Sequence, residues 1–169
     1  MQDLSILFAM GGELDFRLLF EEAPDVLLVL LPDTPKFTMV AATRARYAAT
    51  QTTPEQTIGV GLFELFPDNP DDATATGSSY LRSSLERVLE TRAPDTMAVQ
   101  KYDVRDPDGN FQVKYWSPKN IPVLSPDGEV SYILHRVEDV TELVRASELG
   151  TELVGRTRAM EREVLARSR

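Results

Sequence analysis

The sequence of 169 residues contains no cysteine and a single histidine. Without thiols the chain can form no disulfide, thiolate metal site, CxxC redox motif or cysteine nucleophile. Covalent photochemistry through a thiol is excluded for the same reason. Positive charge is also scarce, because 18 Lys and Arg stand against 27 Asp and Glu, which gives a formal net charge of -9. Non-specific binding to nucleic acid or to an anionic membrane needs a positive surface, so we expect neither.

Long apolar segments are missing as well. The longest unbroken aliphatic run is Val26 to Leu31, far short of the ~20 residues that span a bilayer. The start, MQDLSILFAM, lacks the basic n-region of a signal peptide. We therefore expect no membrane insertion and a cytoplasmic location. With 42% hydrophobic residues, the chain can still fill the core of one domain.

Charge divides the chain into an acidic body and a nearly neutral tail. Residues 140–169 hold six arginines and five glutamates, net +1, which leaves -10 for residues 1–139. The tail has no proline, and apolar or small residues recur in it at alternating steps of three and four, which predicts a helix with a heptad seam. This seam consists of Leu143, Ala146, Gly150, Leu153, Thr157, Met160 and Val164. The helix could pack on its own domain, but a dimer-forming linker helix is favoured because no stop signal follows the pattern.

The body predicts an α+β fold. A hairpin comes first, followed by short helical pieces and one longer helix, and then a three-stranded meander. The predicted elements are helix Leu14–Glu22, strands Val26–Leu31 and Lys36–Ala41, short pieces over 42–67, helix Ser78–Thr91, and strands Thr96–Arg105, Phe111–Val123 and Glu129–Val140. The last three strands are separated by two Pro-Asp-Gly turns. Five strands in two blocks predict one antiparallel sheet with helices on one face, which together enclose a pocket.

Three stretches resemble the PAS domain family: FRLLFEEAPDVLLVL, LFELFPDNP and YWSPKNIPVLSPDGEVSYILHRVEDVT. The last contains Asp139-Val140-Thr141, which is similar to the Asp-(Ile/Val)-Thr motif that joins the final PAS strand to an output helix. The resemblance implies an N-terminal extension over 1–13, a PAS domain over 14–141 and a linker helix over 142–169.

The final stretch is most similar to PAS domains of bacterial sensor histidine kinases. That resemblance implies a homodimer, a signal-transfer joint at Asp139, Val140 and Thr141, and a C-terminal effector domain absent from this chain. Two departures bear on cofactors. The flavin-binding photosensory subfamily needs a reactive cysteine, so a cysteine-adduct flavin is excluded. No histidine lies between Ser78 and Thr91, where haem-binding members commonly carry their ligand, so haem is disfavoured. A small-molecule ligand stays open, and Ala42-Thr43-Arg44 stands where many members have an asparagine.

Five residues are candidates to line the pocket: Met97, Tyr102, Tyr115, Trp116 and His135. Alternation along the strands predicts that Tyr115 and Trp116 face opposite ways, and that Met97 and Tyr102 do too. Inward aromatics could hold a ligand, although more often they fill a core. His135 could bind a metal or ligand or act as a pH switch; a hydrogen-bonded strand histidine is the simpler interpretation and is favoured.

No catalytic or metal site is predicted. The Asp106-Pro107-Asp108-Gly109 stretch lacks the acidic ends of a calcium loop, and Asp68, Asp71 and Asp72 are interpreted as a solvated loop. The sequence thus predicts a non-catalytic sensory and dimerisation module, the input domain of a sensor histidine kinase. The alternatives are a small free-standing α+β enzyme, a stand-alone ligand-binding regulator, or a purely structural PAS dimeriser without a ligand.

Overall fold

The computed structural model of the chain describes residues 14–68, 77–105 and 108–167, with the backbone alone at 105, 158–159 and 161–167. The predicted extension over 1–13 and the loop residues Asp71 and Asp72 lie outside this part. The elements are α1 (Phe16–Glu21), β1 (Val26–Leu30), β2 (Met39–Ala42), α2 (Arg44–Thr50), α3 (Pro54–Thr57), α4 (Leu62–Leu65), α5 (Gly77–Thr91), β3 (Asp95–Thr96), β4 (Gln100–Lys101), β5 (Val104–Arg105), β6 (Phe111–Gln112), β7 (Tyr115–Leu124), β8 (Val130–Asp139) and α6 (Thr141–Arg167). The fold is α+β, as predicted.

The predicted hairpin forms from β1 and β2, which pair antiparallel. Asp33 closes its turn, since its carboxylate accepts hydrogen bonds from the Thr38 N–H at 2.7 Å and the Thr38 hydroxyl at 2.5 Å. Five aliphatic residues make up β1, and Leu28 and Leu30 are fully buried on one face. The hairpin therefore supplies one edge of the sheet and part of the core.

The short helices between β2 and α5 are each started by a capping residue. Thr53 and Gln56 form a capping box at α3, with Pro54 at the first helical position, where its missing N–H costs nothing. Thr43 caps α2 and also ties it to the sheet. Its hydroxyl donates to the Asp25 carbonyl at 2.7 Å and accepts from the Leu27 N–H at 3.2 Å. Threonine thus serves this bend where the family pattern has an asparagine.

The sheet has the order β2-β1-β8-β7-β3, with β4 also paired to β7. The long β7 and β8 strands form its centre, running from the pair Trp116–Asp139 to the pair Leu124–Val130. The sequence prediction is wrong for two strands. Thr96–Arg105 is not one strand, and Phe111–Val123 is divided into β6, which pairs outside the main sheet, and β7.

The break in the edge strand follows from a proline in the neighbouring strand β7. Pro118 of β7 has no N–H to donate, and the pairing shifts from Thr96–Lys119 to Gln100–Trp116, so one extra residue is accommodated between β3 and β4. The Met97 N–H still donates to the Pro118 carbonyl at 3.0 Å. The chain then leaves the sheet, and β5 pairs with β6 separately.

The main core lies between the inner face of the sheet and the helices. Its fully buried members come from both layers, and the largest are Phe37, Leu28, Leu30, Met39, Leu62, Leu85, Ile133 and Val88. Leu85 and Val88 are on the inward face of α5, which the i, i+3 spacing predicts. A smaller cluster of Val104, Trp116 and Val137 lies towards the β8–α6 end.

The last helix, α6, is long and mostly exposed. It begins at Thr141, close to the predicted start of the linker helix. Across residues 14–68, 77–105 and 108–167, no helix is both long enough and apolar enough to cross a bilayer.

We expect Leu85→Ala to lower the free energy of unfolding by about 2–5 kcal/mol, because it leaves a cavity at a fully buried helix position. Leu149→Ala is the matched control: Leu149 is also helical but 58% exposed, so the change should stay within about 0.5 kcal/mol. Urea unfolding followed by circular dichroism measures both. Equal losses in the two variants would contradict this assignment of the core.

Candidate functional site

A partly enclosed cavity of about 70 Å³ lies between the sheet and the helices, where the two hydrophobic clusters meet. Its walls come from α2, α4, α5, the irregular edge strand and the inner face of β7 and β8. The apolar lining includes Leu62, Phe63, Phe66, Leu81 and Val137. The volume is well below the ~300–1,000 Å³ of a drug-sized site, so only a small molecule fits without rearrangement.

Four of the five predicted pocket residues come together at this cavity: Met97, Tyr102, Trp116 and His135. Met97 and Tyr102 line the same space, contrary to the parity prediction, because the extra residue between β3 and β4 changes the alternation. Tyr115 does not line the cavity. It precedes Trp116 in β7, and consecutive strand residues point to opposite faces.

The aromatic wall is held by hydrogen bonds to the backbone. The Trp116 indole N–H donates to the Tyr102 carbonyl at 3.0 Å, and the Tyr102 hydroxyl donates to the Pro67 carbonyl at 2.6 Å. Gly77 permits the close packing of α5 on this wall, because a Cβ there would lie 3.0 Å from Tyr102 Cδ2. The two aromatic side chains are therefore fixed in orientation.

His135 is the inner end of a chain of hydrogen bonds that leads out to the surface. Its Nδ1 lies 2.7 Å from Asn120 Oδ1, and Asn120 Nδ2 donates to Ser84 Oγ at 2.7 Å. The Ser84 hydroxyl donates to Asp95 Oδ2 at 2.5 Å, and Arg87 donates to both carboxylate oxygens of Asp95 at 2.8 Å. Since the amide of Asn120 gives its N–H to Ser84, its oxygen accepts from His135, which assigns the proton of a neutral imidazole to Nδ1.

The pKa shifts of the two end groups, His135 and Asp95, agree with this assignment of donors and acceptors. Burial, with a further contribution from the Arg46 charge, lowers the pKa of His135 to about 3. The hydrogen bond from Ser84 lowers the pKa of Asp95, burial opposes it, and Arg87 adds to the lowering. At neutral pH the chain therefore runs from a neutral imidazole to an ionised carboxylate, which is the hydrogen-bonded strand histidine of the simpler interpretation and not a switch near pH 6.

Sequence reasoning missed Ser84, Asn120 and Asp95, although alternation in β7 places Asn120 on the same face as Trp116. It also missed Arg46, whose guanidinium lies over the Phe66 ring, with Cζ 5.1 Å from the ring centroid. The capping Thr43, Arg46 and Thr50 follow helical spacing and are all buried, but a polar inward face gives no hydrophobic pattern to find. Among the described residues, no group of three or more potential metal ligands is present.

The predicted signal-transfer joint, Asp139-Val140-Thr141, is bonded to the start of β7. Asp139 Oδ1 accepts from the backbone N–H and the hydroxyl of Thr141, at 3.0 and 2.5 Å, and Oδ2 accepts from Lys114 Nζ at 2.7 Å. Thr141 Oγ1 accepts from the Tyr115 N–H at 3.0 Å, while the Val140 N–H donates to the Tyr115 carbonyl at 2.9 Å. Burial raises the pKa of Asp139, but the hydrogen bonds from Lys114 and Thr141 outweigh it and keep the pKa below its usual value.

The heptad seam of α6 is open to solvent along its described length. Leu143 is 70% exposed, Leu153 is 54% exposed and Met160 is 68% exposed, and Ala146 is exposed too. The side chain of Val164 lies outside the described part. Apolar side chains repeated along one exposed helix face fit a seam that lacks its partner helix.

Comparison with known families gives one match. The sequence model of a family described as the PAS fold matches residues 20–145, which is most of the chain. No curated protein sequence matched significantly.

Several solved structures are similar in fold. A PAS domain from Colwellia psychrerythraea has a TM-score of 0.56 at 14% identity, over 83% of this chain and 99% of its own. The PAS domain of the fruit-fly ELK potassium channel has a TM-score of 0.53 at 11% identity, over 82% of this chain and 98% of its own. An RNA-binding light-oxygen-voltage receptor has a TM-score of 0.57 at 16% identity, over 93% of this chain. The match covers only 38% of that receptor's length.

We expect the stability of the protein to fall between pH 7 and pH 5 partly through His135. Its pKa is about 3 in the native state and about 6.5 when unfolded, so the unfolded chain binds the extra proton in this range. Lowering the pH therefore favours unfolding, and His135 lowers the free energy of unfolding by up to ~1.4 kcal/mol per pH unit. Urea unfolding followed by the fluorescence of the single tryptophan measures it.

The control for this prediction is His135→Gln, which keeps an N–H donor for Asn120 but does not titrate. Its free energy of unfolding should be flatter over the same pH range. Identical slopes in the two proteins would show that His135 titrates normally in the native state.

Proposed function

Because this chain belongs to the PAS-fold family, a family of sensory domains, we propose that it is the input module of a bacterial sensor histidine kinase. In this proposal the cavity receives the signal, α6 carries it to an effector after residue 169, and α6 also forms a homodimer. PAS domains are generally non-catalytic sensory modules, and we propose the same for this chain.

The observation that carries the proposal is the short path from the cavity to α6, which consists of one peptide link and two hydrogen bonds. Trp116 lines the cavity, and the adjacent Tyr115 bonds through its backbone N–H and carbonyl to Thr141 and Val140. A displacement of Trp116 therefore moves the two bonds that orient the first turn of α6. Backbone bonds of this kind are short and directional, so they transmit a rotation better than apolar contacts do.

A charge-assisted contact strengthens the same joint. Asp139 binds Thr141 on one carboxylate oxygen and Lys114 on the other, which links the end of β8, the start of α6 and the residue before β7. Hydrogen bonds to charged groups contribute about 1.5–3 kcal/mol when partly buried. The joint is therefore stiff enough to tilt a helix as a unit.

Dimerisation is proposed through the seam of α6, with a second copy of this chain as the partner. The repeat continues over the whole helix, and each described apolar seam side chain is exposed. Gly150 and Thr157 occupy two seam positions and weaken the packing, so the affinity should be modest. A weak coiled coil suits a linker that must change its arrangement when a signal arrives.

Two other functions would show themselves in simple measurements. A free-standing enzyme needs a reactive constellation, but the only histidine is neutral and hydrogen-bonded to an amide. A purely structural dimeriser would form the dimer yet show no response of α6 to changes at the cavity or the joint.

The joint is tested in a chimera that fuses residues 1–169, in heptad register, to the catalytic part of a histidine kinase. We expect Asp139→Asn and Thr141→Val each to change autophosphorylation several-fold. Asp139→Asn removes the charge that binds Lys114 and Thr141, and Thr141→Val removes the hydroxyl that accepts from the Tyr115 N–H. The matched control is Asp25→Asn, which removes the charge of Asp25 from an exposed 2.8 Å ion pair with Arg136. None of the joint residues takes part in that ion pair. Kinase activity that responds equally to joint and control variants would contradict the proposed signal path.

The dimer is tested by sedimentation equilibrium of the full chain. We expect a monomer–dimer equilibrium that Leu153→Glu shifts at least tenfold towards monomer, because it places a charge in the seam. Thr151→Glu places the same charge on an exposed face outside the seam and should leave the equilibrium unchanged. A wild-type chain that stays monomeric at high concentration would overturn the linker-helix proposal.

A further inference from the structure

In the part of the chain that the structure describes, nothing at the cavity balances the charge of Arg46. Arg46 is 6% exposed, and it lines the cavity together with mainly apolar side chains. The described lining of the cavity includes neither Asp nor Glu. In the described part of the chain, no carboxylate forms an ion pair with Arg46, whereas Arg44, two residues earlier, pairs with Glu22 at 2.8 Å.

The contacts that Arg46 does make cannot replace a counter-ion. The Phe66 ring, 5.1 Å from Cζ, supplies a cation–π attraction of about 2 kcal/mol at most. Burial lowers the pKa of Arg46 to about 10, and nearby Tyr102 opposes that shift. The guanidinium thus stays protonated at neutral pH, and an unpaired buried cation is costly.

The other polar residues that the structure describes at the cavity carry no charge. His135 gives its Nδ1 proton to Asn120, and burial keeps the imidazole uncharged. The Thr50 hydroxyl donates to the Arg46 carbonyl at 2.9 Å, and Gln100 Nε2 donates to the Ala98 carbonyl at 2.9 Å. Among the described residues that line the cavity, Arg46 therefore carries the one charge.

We propose that this cavity binds a small aliphatic monocarboxylate, whose carboxylate pairs with Arg46 while its carbon chain packs against Leu62, Phe66, Leu81 and Val137. This rests on the proposed sensory function and names the class of ligand for it. A single cation balances a single negative charge, so a phosphate dianion would leave charge unpaired. The volume of about 70 Å³ restricts the ligand to a short carbon chain and leaves no room for a flavin or a haem.

The geometry of the arginine side chain is suited to a carboxylate. A guanidinium presents a planar fork of N–H donors that matches the two oxygens of a carboxylate, and such bidentate pairs are strong when buried. The neutral His135 does not compete for the anion. Binding of the carboxylate would supply the counter-charge that Arg46 lacks, while the apolar wall excludes water from the pair.

The test uses the full chain and butyrate, with butyramide as the uncharged isostere and chloride at equal ionic strength. Binding is followed by the indole N–H resonance of Trp116, which is the only tryptophan and lines the cavity. We expect butyrate to shift this resonance saturably and to raise Tm with concentration, as a ligand of the native state does. Butyramide and chloride should do neither.

Arg46→Gln should weaken butyrate binding at least ~tenfold, whereas Arg44→Gln, a change of the same kind on the same helix, should leave it unaltered. If Arg46→Gln does not fold, Leu81→Phe decides the matter, because it fills the cavity without touching the charge and should abolish the shift. The proposal is overturned if butyramide binds as well as butyrate, if Arg46→Gln or Leu81→Phe keeps full affinity, or if short carboxylates from propionate to hexanoate leave the resonance unmoved.

These outcomes are separate from those of the proposed function. The kinase chimera compares variants at Asp139 and Thr141 and needs no ligand. A joint that controls the kinase while no carboxylate binds would overturn the ligand class alone. A carboxylate that binds while the joint variants behave like Asp25→Asn would overturn the signal path alone.

Discussion

The register between β7 and β8 is the constraint on which both the cavity and its exit depend. It places Asn120 opposite His135 and Trp116 opposite Asp139. The first pair begins the hydrogen-bond chain at the cavity, and the second puts an aromatic wall beside the joint. Because side chains alternate along a strand, a slip of one residue between β7 and β8 would put His135 on the opposite face from Asn120 and Trp116. The cavity and the helix exit are therefore specified by one ladder of backbone bonds.

Among the described residues, the interior of the domain combines a well-satisfied chain of hydrogen bonds with the charge of Arg46, which has no carboxylate partner there. From His135 to Arg87 each donor has an acceptor, so burial of these groups costs little and fixes their rotamers. Arg46 is different, since it contributes charge without a partner carboxylate. Strained or unsatisfied groups persist where function uses them, because the rest of the structure offsets their free-energy cost. The buried core, which includes Leu28, Leu30 and Leu85, contributes that stability. This contrast supports the proposed anion-binding role of Arg46 and a structural role of His135.

Much of this fold is readable from the sequence because periodicity and turn chemistry agree over most of it. The aliphatic run at β1, the i, i+3 face of α5 and the Pro-Asp-Gly turn before β8 each indicate their element directly. The edge strand was mispredicted because its break depends on Pro118 in a neighbouring strand, which no local pattern of residues 96–105 can show. For the same reason the predicted alternation of Met97 and Tyr102 is wrong. Tyr115 does not line the cavity because it alternates with the inward-facing Trp116. Arg46, Ser84 and Asp95 were missed because their importance arises only when three distant segments meet, and polar side chains at a buried face produce no hydrophobic signal.

The free energies of such contacts also limit how the proposed module could switch between two arrangements of the sheet and α6. Moving an equilibrium from 1:99 to 99:1 needs a difference in ligand affinity of about 5.5 kcal/mol between the two states. One new charge-assisted hydrogen bond contributes only about 1.5–3 kcal/mol. Binding of a carboxylate to Arg46 could therefore not by itself reverse a strongly biased equilibrium. The two arrangements of sheet and α6 must then lie within a few kcal/mol of each other before any ligand arrives. The weak seam, with Gly150 and Thr157 at core positions, fits that requirement, because a tightly packed coiled coil would hold one arrangement too firmly for a ligand of this size to shift.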